Sequence, residues 1–211
     1  FIRGDRGDRV PAVRSQPPRI PRDRELGARM NGVARRATYD LGPMPLGRPM
    51  RTVDERFVRA PVEVMFRIAR AVDEWPAHLR HYRFVRFRER ADDGGGIVEM
   101  SANRPFGLFN WPTWWLSEMQ VAGAAGPAPA IRFRHIGGIT KGMDVEWRFE
   151  SRNGGTQVEL VHAWDGPRWP VIGVFAATTV IGPVFVHGIA ARTLAGLARV
   201  AEREAGGGPR A

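Results

Sequence analysis

From Met143 to Trp164 the chain alternates apolar and polar residues with a period of two. Met143, Val145, Trp147 and Phe149 fall on one parity and Asp144, Glu146, Arg148 and Glu150 on the other, the pattern of a strand with one buried face. Val158, Leu160, His162 and Trp164 repeat it against Gln157 and Glu159. Between the runs, Ser151 to Gly155 supplies the Asn and glycines that a tight antiparallel connection favours. The two runs predict a hairpin with a histidine set in its apolar row.

The same reading upstream predicts five further strands. In the first, Val53, Glu55 and Phe57 alternate with Asp54, Arg56 and Val58. The others fall near Tyr82 to Arg90, Ile97 to Asn103, Trp114 to Val121 and Ala130 to Ile136, separated by the turn-rich stretches ADDGGG, RPFGLFNWPT and AGAAGPAP. After the first strand the spacing becomes helical: Pro61 opens a helix with Val64, Phe66, Ile68 and Ala69 as its inward residues. DEWPAHLRHY predicts a second short helix, capped by Asp73 and anchored by Trp75. A long terminal helix is expected over Val184 to Glu204, with Val186, Ile189, Ala190, Leu194, Leu197 and Val200 inward and glycines 206 to 208 closing it. A strand, two short helices, six strands and a long helix make an α+β domain whose antiparallel sheet wraps a helix.

Composition narrows the chemistry. The 211 residues hold no cysteine, which excludes disulfides, thiolate metal centres and a thiol nucleophile, and permits a reducing, cytoplasmic setting. The net charge of +10 rests almost wholly on arginine, Lys141 being the sole lysine. Arginine, glycine, alanine and proline enrichment fits a GC-rich bacterial genome, so this basicity argues less for phosphate binding than clustered lysines would. Residues 1–50 carry eleven arginines against five acidic residues, many prolines and no apolar periodicity. They are expected to be disordered, with Met30, Met44 and Met50 as candidate initiators. A folded domain is expected over 51–205 and a disordered tail over 206–211. No apolar signal segment opens the chain.

The stretch RTVDERFVRAPVEVMFRIARAVDEWPAHLRHYRFVRFRER, followed later by GMDVEWRFESRNGGTQVELVH, resembles the polyketide cyclase/dehydrase-like branch of the START-like (SRPBCC, or Bet v 1-like) superfamily. The likeness runs over about 52–204. Its most specific pieces are the Ala-Pro before the first helix, the Trp-Pro at 75 and 76, and the Gly-Met-x-x-x-Trp strand with its Gly-Gly hairpin. It implies a helix-grip fold, a seven-stranded sheet around the C-terminal helix with an apolar cavity between.

On that fold the inward rows join Phe133 and His135, Trp147 and Phe149, and His162 and Trp164. A buried imidazole without a partner costs about 1–3 kcal/mol, so the two histidines point to a cavity with a few polar anchors, the composition of a small-molecule pocket. Phe106, Phe109, Trp111, Trp114 and Trp115 crowd one connection beside Arg104, and are expected to form the mouth or cover of that pocket, or a hairpin tip folded onto the sheet. The resemblance also implies site residues. Tyr82 matches the tyrosine that aromatic polyketide cyclases keep after the second helix, and Trp115 and Ser117 match their aromatic-x-Ser-x-Arg strand, but Met119 stands where the arginine should be. A thioether cannot stabilise an enolate or oxyanion.

The expected ligand is therefore a hydrophobic small molecule, lipid or polyketide-like, held by Arg104, Phe109, Trp111, Trp115, Ser117, Met119, Phe133, Trp147 and Trp164. The alternative is a cyclase or dehydrase in which Tyr82, His135 and His162 supply acid-base groups. No cofactor or metal is expected: His78 and His81 lack further ligands at zinc-like spacing and read as surface residues, and Asp165 near His162 has no nucleophilic serine to serve. No specific nucleic-acid binding is expected. From Trp169 to Ala191 there is no Asp, Glu, Lys or Arg, but Pro170, Gly173, Gly182 and Pro183 interrupt the run. It reads as a pocket lid and buried helix, with transient membrane contact as its other reading.

Overall fold

The computed structural model describes residues 38–106, 109–166 and 186–207, with the side chains of 104–106 and 109–111 excepted. Strand β1 (Met50–Val58) leads to helix α1 (Val62–Arg70), a 3-10 turn (Val72–Glu74) and the short α2 (Trp75–His78). Six strands follow: β2 (Tyr82–Arg90), β3 (Gly96–Phe106), β4 (Phe109–Ala122), β5 (Ala130–Gly138), β6 (Asp144–Arg152) and β7 (Gly155–Trp164). Helix α3 (His187–Gly206) comes last. The sheet is antiparallel in the order β1-β7-β6-β5-β4-β3-β2, and with α3 it makes the expected helix-grip arrangement.

Local sequence explains most boundaries. Asn153 and Gly154, both with positive φ, join β6 to β7, as a two-residue hairpin with right-handed twist requires. Pro61 is the residue before α1, whose buried face is Val62, Met65, Phe66, Ile68 and Ala69. Val64 is only partly buried. In α3, Ala190, Leu194, Leu197, Ala198 and Ala201 turn into the core, each large apolar side chain there contributing about 1.5–3 kcal/mol by leaving water. Gly196 lets α3 approach the chain after α2, since a Cβ there would stand 2.1 Å from Leu79 Cδ2.

Three expectations change. Asp73 does not cap α2: it lies in the 3-10 turn and its carboxylate accepts from Arg90 Nη2 at 2.6 Å. RPFGLFNWPT is largely strand, because β3 and β4 stay in register from Gly96↔Met119 to Phe106↔Phe109. Beyond Ala102 and Trp115 these strands have no β2 or β5 partner among the described residues, so Pro105 and Pro112, lacking N–H groups, interrupt no outer ladder.

The third concerns residues 38–49, read from composition as part of a disordered segment. They cross the outer face of the sheet, with Tyr39 and Leu41 buried. Tyr39 donates to Glu89 on β2 at 2.7 Å, Leu41 N–H donates to Gln120 on β4, Arg134 on β5 donates to the Leu41 carbonyl, and Arg48 pairs with Asp165 beyond β7. Single anchors and backbone-to-side-chain bonds hold this strap, a pattern without periodicity. The remainder of that segment, residues 169–185 and the tail 208–211 lie outside the described residues. Among the described residues no helix is long and apolar enough to cross a membrane.

Candidate functional site

The strand alternation read from sequence puts one large row on the concave side. Met143, Val145, Trp147 and Phe149 are all buried, as are Val158, Leu160, His162 and Trp164. The apolar faces of α1 and α3 complete the interior. Packing is incomplete: a cavity of about 70 Å³ remains under α3, walled by Trp75, Trp115, Phe133, Trp147, Leu160, Val186 and Ile189 among others.

Aromatic rings form much of that wall. Trp75 meets Tyr82 edge-on at 5.4 Å between centroids and Trp147 at 5.8 Å, and Trp115 stacks on His135 at 6.1 Å. Besides indole N–H groups, the polar groups on the described wall are hydroxyls and imidazoles, with no arginine, lysine or carboxylate among the described lining residues. His135 Nδ1 and Thr140 Oγ1 share a hydrogen bond at 2.7 Å, and His162 Nδ1 lies 3.4 Å from Thr52 Oγ1. Tyr82 and Thr193 hydroxyls are 3.3 Å apart. The Trp75 indole N–H is buried with no hydrogen-bond partner among the described residues; such a donor costs about 1–3 kcal/mol until an acceptor reaches it.

The anticipated site residues fall into groups. Tyr82, His135, His162, Trp115, Phe133 and Trp147 come together around the cavity. Ser117, Met119 and Trp164 do not line it. Their side chains are 0–1% exposed in the packed core, where Trp164 Nε1 donates to the Lys141 carbonyl at 3.0 Å and Ser117 Oγ has no partner among the described residues. Arg104, Phe109 and Trp111 lie in the paired β3–β4 arm, and their side chains are outside the described residues. Trp114, on the opposite parity to Trp115, is 43% exposed and donates to Glu99 on the outer face. Asp165 is paired with Arg48 and not with His162.

Sequence reasoning missed Thr140, Thr193 and His81. Thr193 had a legible signal, a lone hydroxyl at helical spacing in the row Ile189, Ala190, Leu194, Leu197. Thr140 had none, since it sits in a turn. His81, read as a surface residue, is half-buried with Nε2 3.1 Å from Thr193 Oγ1. Burial, then the Arg192 guanidinium, holds its pKa below the usual imidazole value.

Among the described residues, one buried carboxylate stands on the inward parity of the sheet. Asp54, on the inward parity of β1, accepts from His187 Nδ1 at 2.6 Å, and its second oxygen has no partner among the described residues. Desolvation raises its pKa, opposed by His187. No group of three or more potential metal ligands occurs among the described residues.

What the arrangement can do chemically follows from this inventory. It can enclose an apolar body against aromatic faces and offer it hydrogen bonds from hydroxyl and imidazole groups. Among the described lining residues there is no cation for a developing oxyanion.

Comparison with known proteins agrees with this geometry. The model of a family described as polyketide cyclase / dehydrase and lipid transport matches residues 58–179. Among solved structures, a protein from Thermus thermophilus superposes with a TM-score of 0.58 at 18% identity, covering 71% of this chain and 94% of that one. The Zhui aromatase/cyclase from Streptomyces sp. R1128 superposes with 0.57 at 18% identity, covering 75% and 98%. A START superfamily protein from Mycobacterium smegmatis gives 0.53 at 13% identity, covering 74% and 97%. At such identities these likenesses speak for the fold alone. No curated protein matches by sequence.

Proposed function

The chain belongs to the polyketide cyclase / dehydrase and lipid transport family, whose model spans more than half of it, and from that premise we propose that it binds a hydrophobic, ring-containing small molecule under α3. The observation that carries the reading is the aromatic cavity whose described lining offers hydroxyl, imidazole and indole groups and no arginine, lysine or carboxylate. A ring system would lie against Trp115 and Trp147. The cavity as it stands holds on the order of two waters, well below the roughly 300–1,000 Å³ of a ligand pocket. Loading therefore requires wall side chains to move, and Val186 and Ile189 at the start of α3 are placed to do so.

Catalysis of a cyclisation or dehydration is the second reading, favoured by Tyr82, His135 and His162 meeting at one cavity. Against it stands Met119, a buried thioether where related cyclases carry a cation. The cysteine-free composition suits a cytoplasmic setting for either.

Native mass spectrometry of the freshly purified chain, with extraction of what copurifies, tests the proposal. An apolar adduct lost in Ala190→Leu, which fills the cavity, is the expected result. No adduct, together with no quenching of tryptophan fluorescence by 2-naphthol or by long-chain fatty acids, would overturn it. Separate Tyr82→Phe, His135→Gln and His162→Gln variants then divide the two readings: graded affinity changes follow from binding alone, lost turnover at retained affinity from catalysis.

A further inference from the structure

Two contacts at one end of the cavity meet on a single atom. Thr193 Oγ1 lies 3.3 Å from the Tyr82 phenol oxygen and 3.1 Å from His81 Nε2. Thr193 and Tyr82 line the cavity and are 2% and 8% exposed, whereas His81 is only half-buried. The chain has little slack there, since Asn103 N–H on β3 donates to the His81 carbonyl at 2.7 Å. A hydroxyl has one proton and two acceptor sites, so Thr193 can receive a proton from one neighbour while giving its own to the other. From this geometry we infer that Tyr82, Thr193 and His81 form a proton relay between the cavity and solvent, which carries the exchangeable proton of a weakly acidic hydroxyl, a phenol or enol, on the bound molecule. The inference rests on the ligand-binding reading above.

In the forward step the ligand O–H proton passes to the phenol oxygen as Tyr82 hands its own proton to Thr193 Oγ1. The Thr193 proton moves to His81 Nε2. Each O–H bond broken is matched by an O–H or N–H bond formed. The ligand ends as an oxyanion, His81 as an imidazolium, and both hydroxyls are restored. Water then takes the proton from His81. The relay needs a neutral imidazole at the outset, and burial together with Arg192 on α3 disfavours the charged form, so the imidazolium is short-lived and passes its proton on to water. Facing His81 from the start of β2 is the Tyr82 ring, 4.8 Å away between centroids, and from α3 Arg192 acts on it through its charge. Tyr82 touches the ligand. His81 does not, and acts as a positioning residue that sets where the proton goes.

The test is an imidazole ¹⁵N titration of His81 in the full chain, for wild type, Tyr82→Phe, Thr193→Val and Thr193→Ser, with and without 2-naphthol. Thr193→Val keeps the shape and removes the hydroxyl. It should shift the His81 proton affinity by about fivefold, the weight of one ordinary hydrogen bond, and Thr193→Ser should restore it. Added 2-naphthol should shift the wild-type curve further and leave the valine variant unmoved. A His81 curve identical in wild type and Thr193→Val overturns the relay even if naphthol binds. A curve that responds to the variants while naphthol stays unbound counts for the relay and against the ligand-binding reading.

Discussion

The two faces of the sheet handle buried polarity in opposite ways. On the outer face the buried groups are charged and set in ion pairs: Asp144 with Arg134 at 3.0 Å, Glu146 with Arg132 at 3.5 Å, and Glu99 with Arg86 and Arg88 at 2.6 and 2.7 Å, although Arg132 Nε makes no hydrogen bond among the described residues. The strap at 38–49 lies over part of this network, Arg134 reaching the Leu41 carbonyl. The pairs that line the cavity join hydroxyl to imidazole or hydroxyl to hydroxyl, and the inward carboxylate, Asp54, lies outside that lining with His187 as its partner. Breaking a neutral pair costs about 0.5–1.5 kcal/mol, and a ligand's own hydrogen bond offsets it. Removing one partner of a buried charged pair costs several times more. On the proposed ligand-binding reading, the outer face stays closed while the inner wall exchanges partners.

The largest expected effect comes from breaking the outer side. Glu146→Gln leaves Arg132, 5% exposed, without its counter-charge, and should destabilise the fold by about 3–5 kcal/mol, read from the denaturant midpoint. An effect below about 1 kcal/mol would mean that this pair behaves as a surface ion pair and that the contrast between the faces is false. Next, Ala190→Leu should weaken 2-naphthol binding by at least about tenfold while changing stability by under about 1.5 kcal/mol. A fluorescence titration paired with a melt separates those two numbers. Thr140→Val, which removes the His135 partner, should cost about 1 kcal/mol. A cost as large as that of Glu146→Gln would show that the inner pairs are as fixed as the outer ones.

The smallest effects lie in pH, and the faces should titrate in different windows. Burial works to raise the Glu99 carboxyl, but bonds from Arg86, Trp114 and Arg88 outweigh it and leave its pKa lowered. Its contribution is present above the ordinary glutamate value and lost as pH falls from about 4.3 through the folded pKa. His81, also lowered, resists a proton that the unfolded chain accepts. Stability therefore declines as pH falls below about 6.5 toward its folded pKa. Each slope is at most about 1.4 kcal/mol per pH unit, and less for His81 because it is half exposed. Stability measured across pH should lose the upper step in His81→Gln and the lower one in Glu99→Gln. A single step common to both variants would defeat the assignment.

Much of the fold was legible because strand and helix periods are local. The hairpin of β6 and β7, the start of β2 at Tyr82 and the inward row of α3 all follow from spacing a few residues long. The buried acidic residues were not legible. Asp144 and Glu146 obey the alternation, yet are 2% and 9% exposed, because a strap from about a hundred residues earlier and arginines on the neighbouring strand cover them. In β1 both parities carry one or two apolar residues, so alternation alone could not say that Val53 and Phe57 face out while Asp54 faces in. The site divides likewise. Tyr82, His135 and His162 stood out as polar residues in apolar rows, whereas the meeting of His81 with Thr193 joins positions 112 residues apart.

By itself the order of hydrophobic and polar residues determined the elements, their sequence and the class of fold, since backbone hydrogen bonding and the periods of two and 3.6 residues act over short stretches. Only the tertiary structure decided which face of β1 is inside, that the interior closes down to about 70 Å³, and which hydroxyl each imidazole meets. Those outcomes depend on side chains from distant elements competing for the same space, and no local pattern encodes the result of that competition.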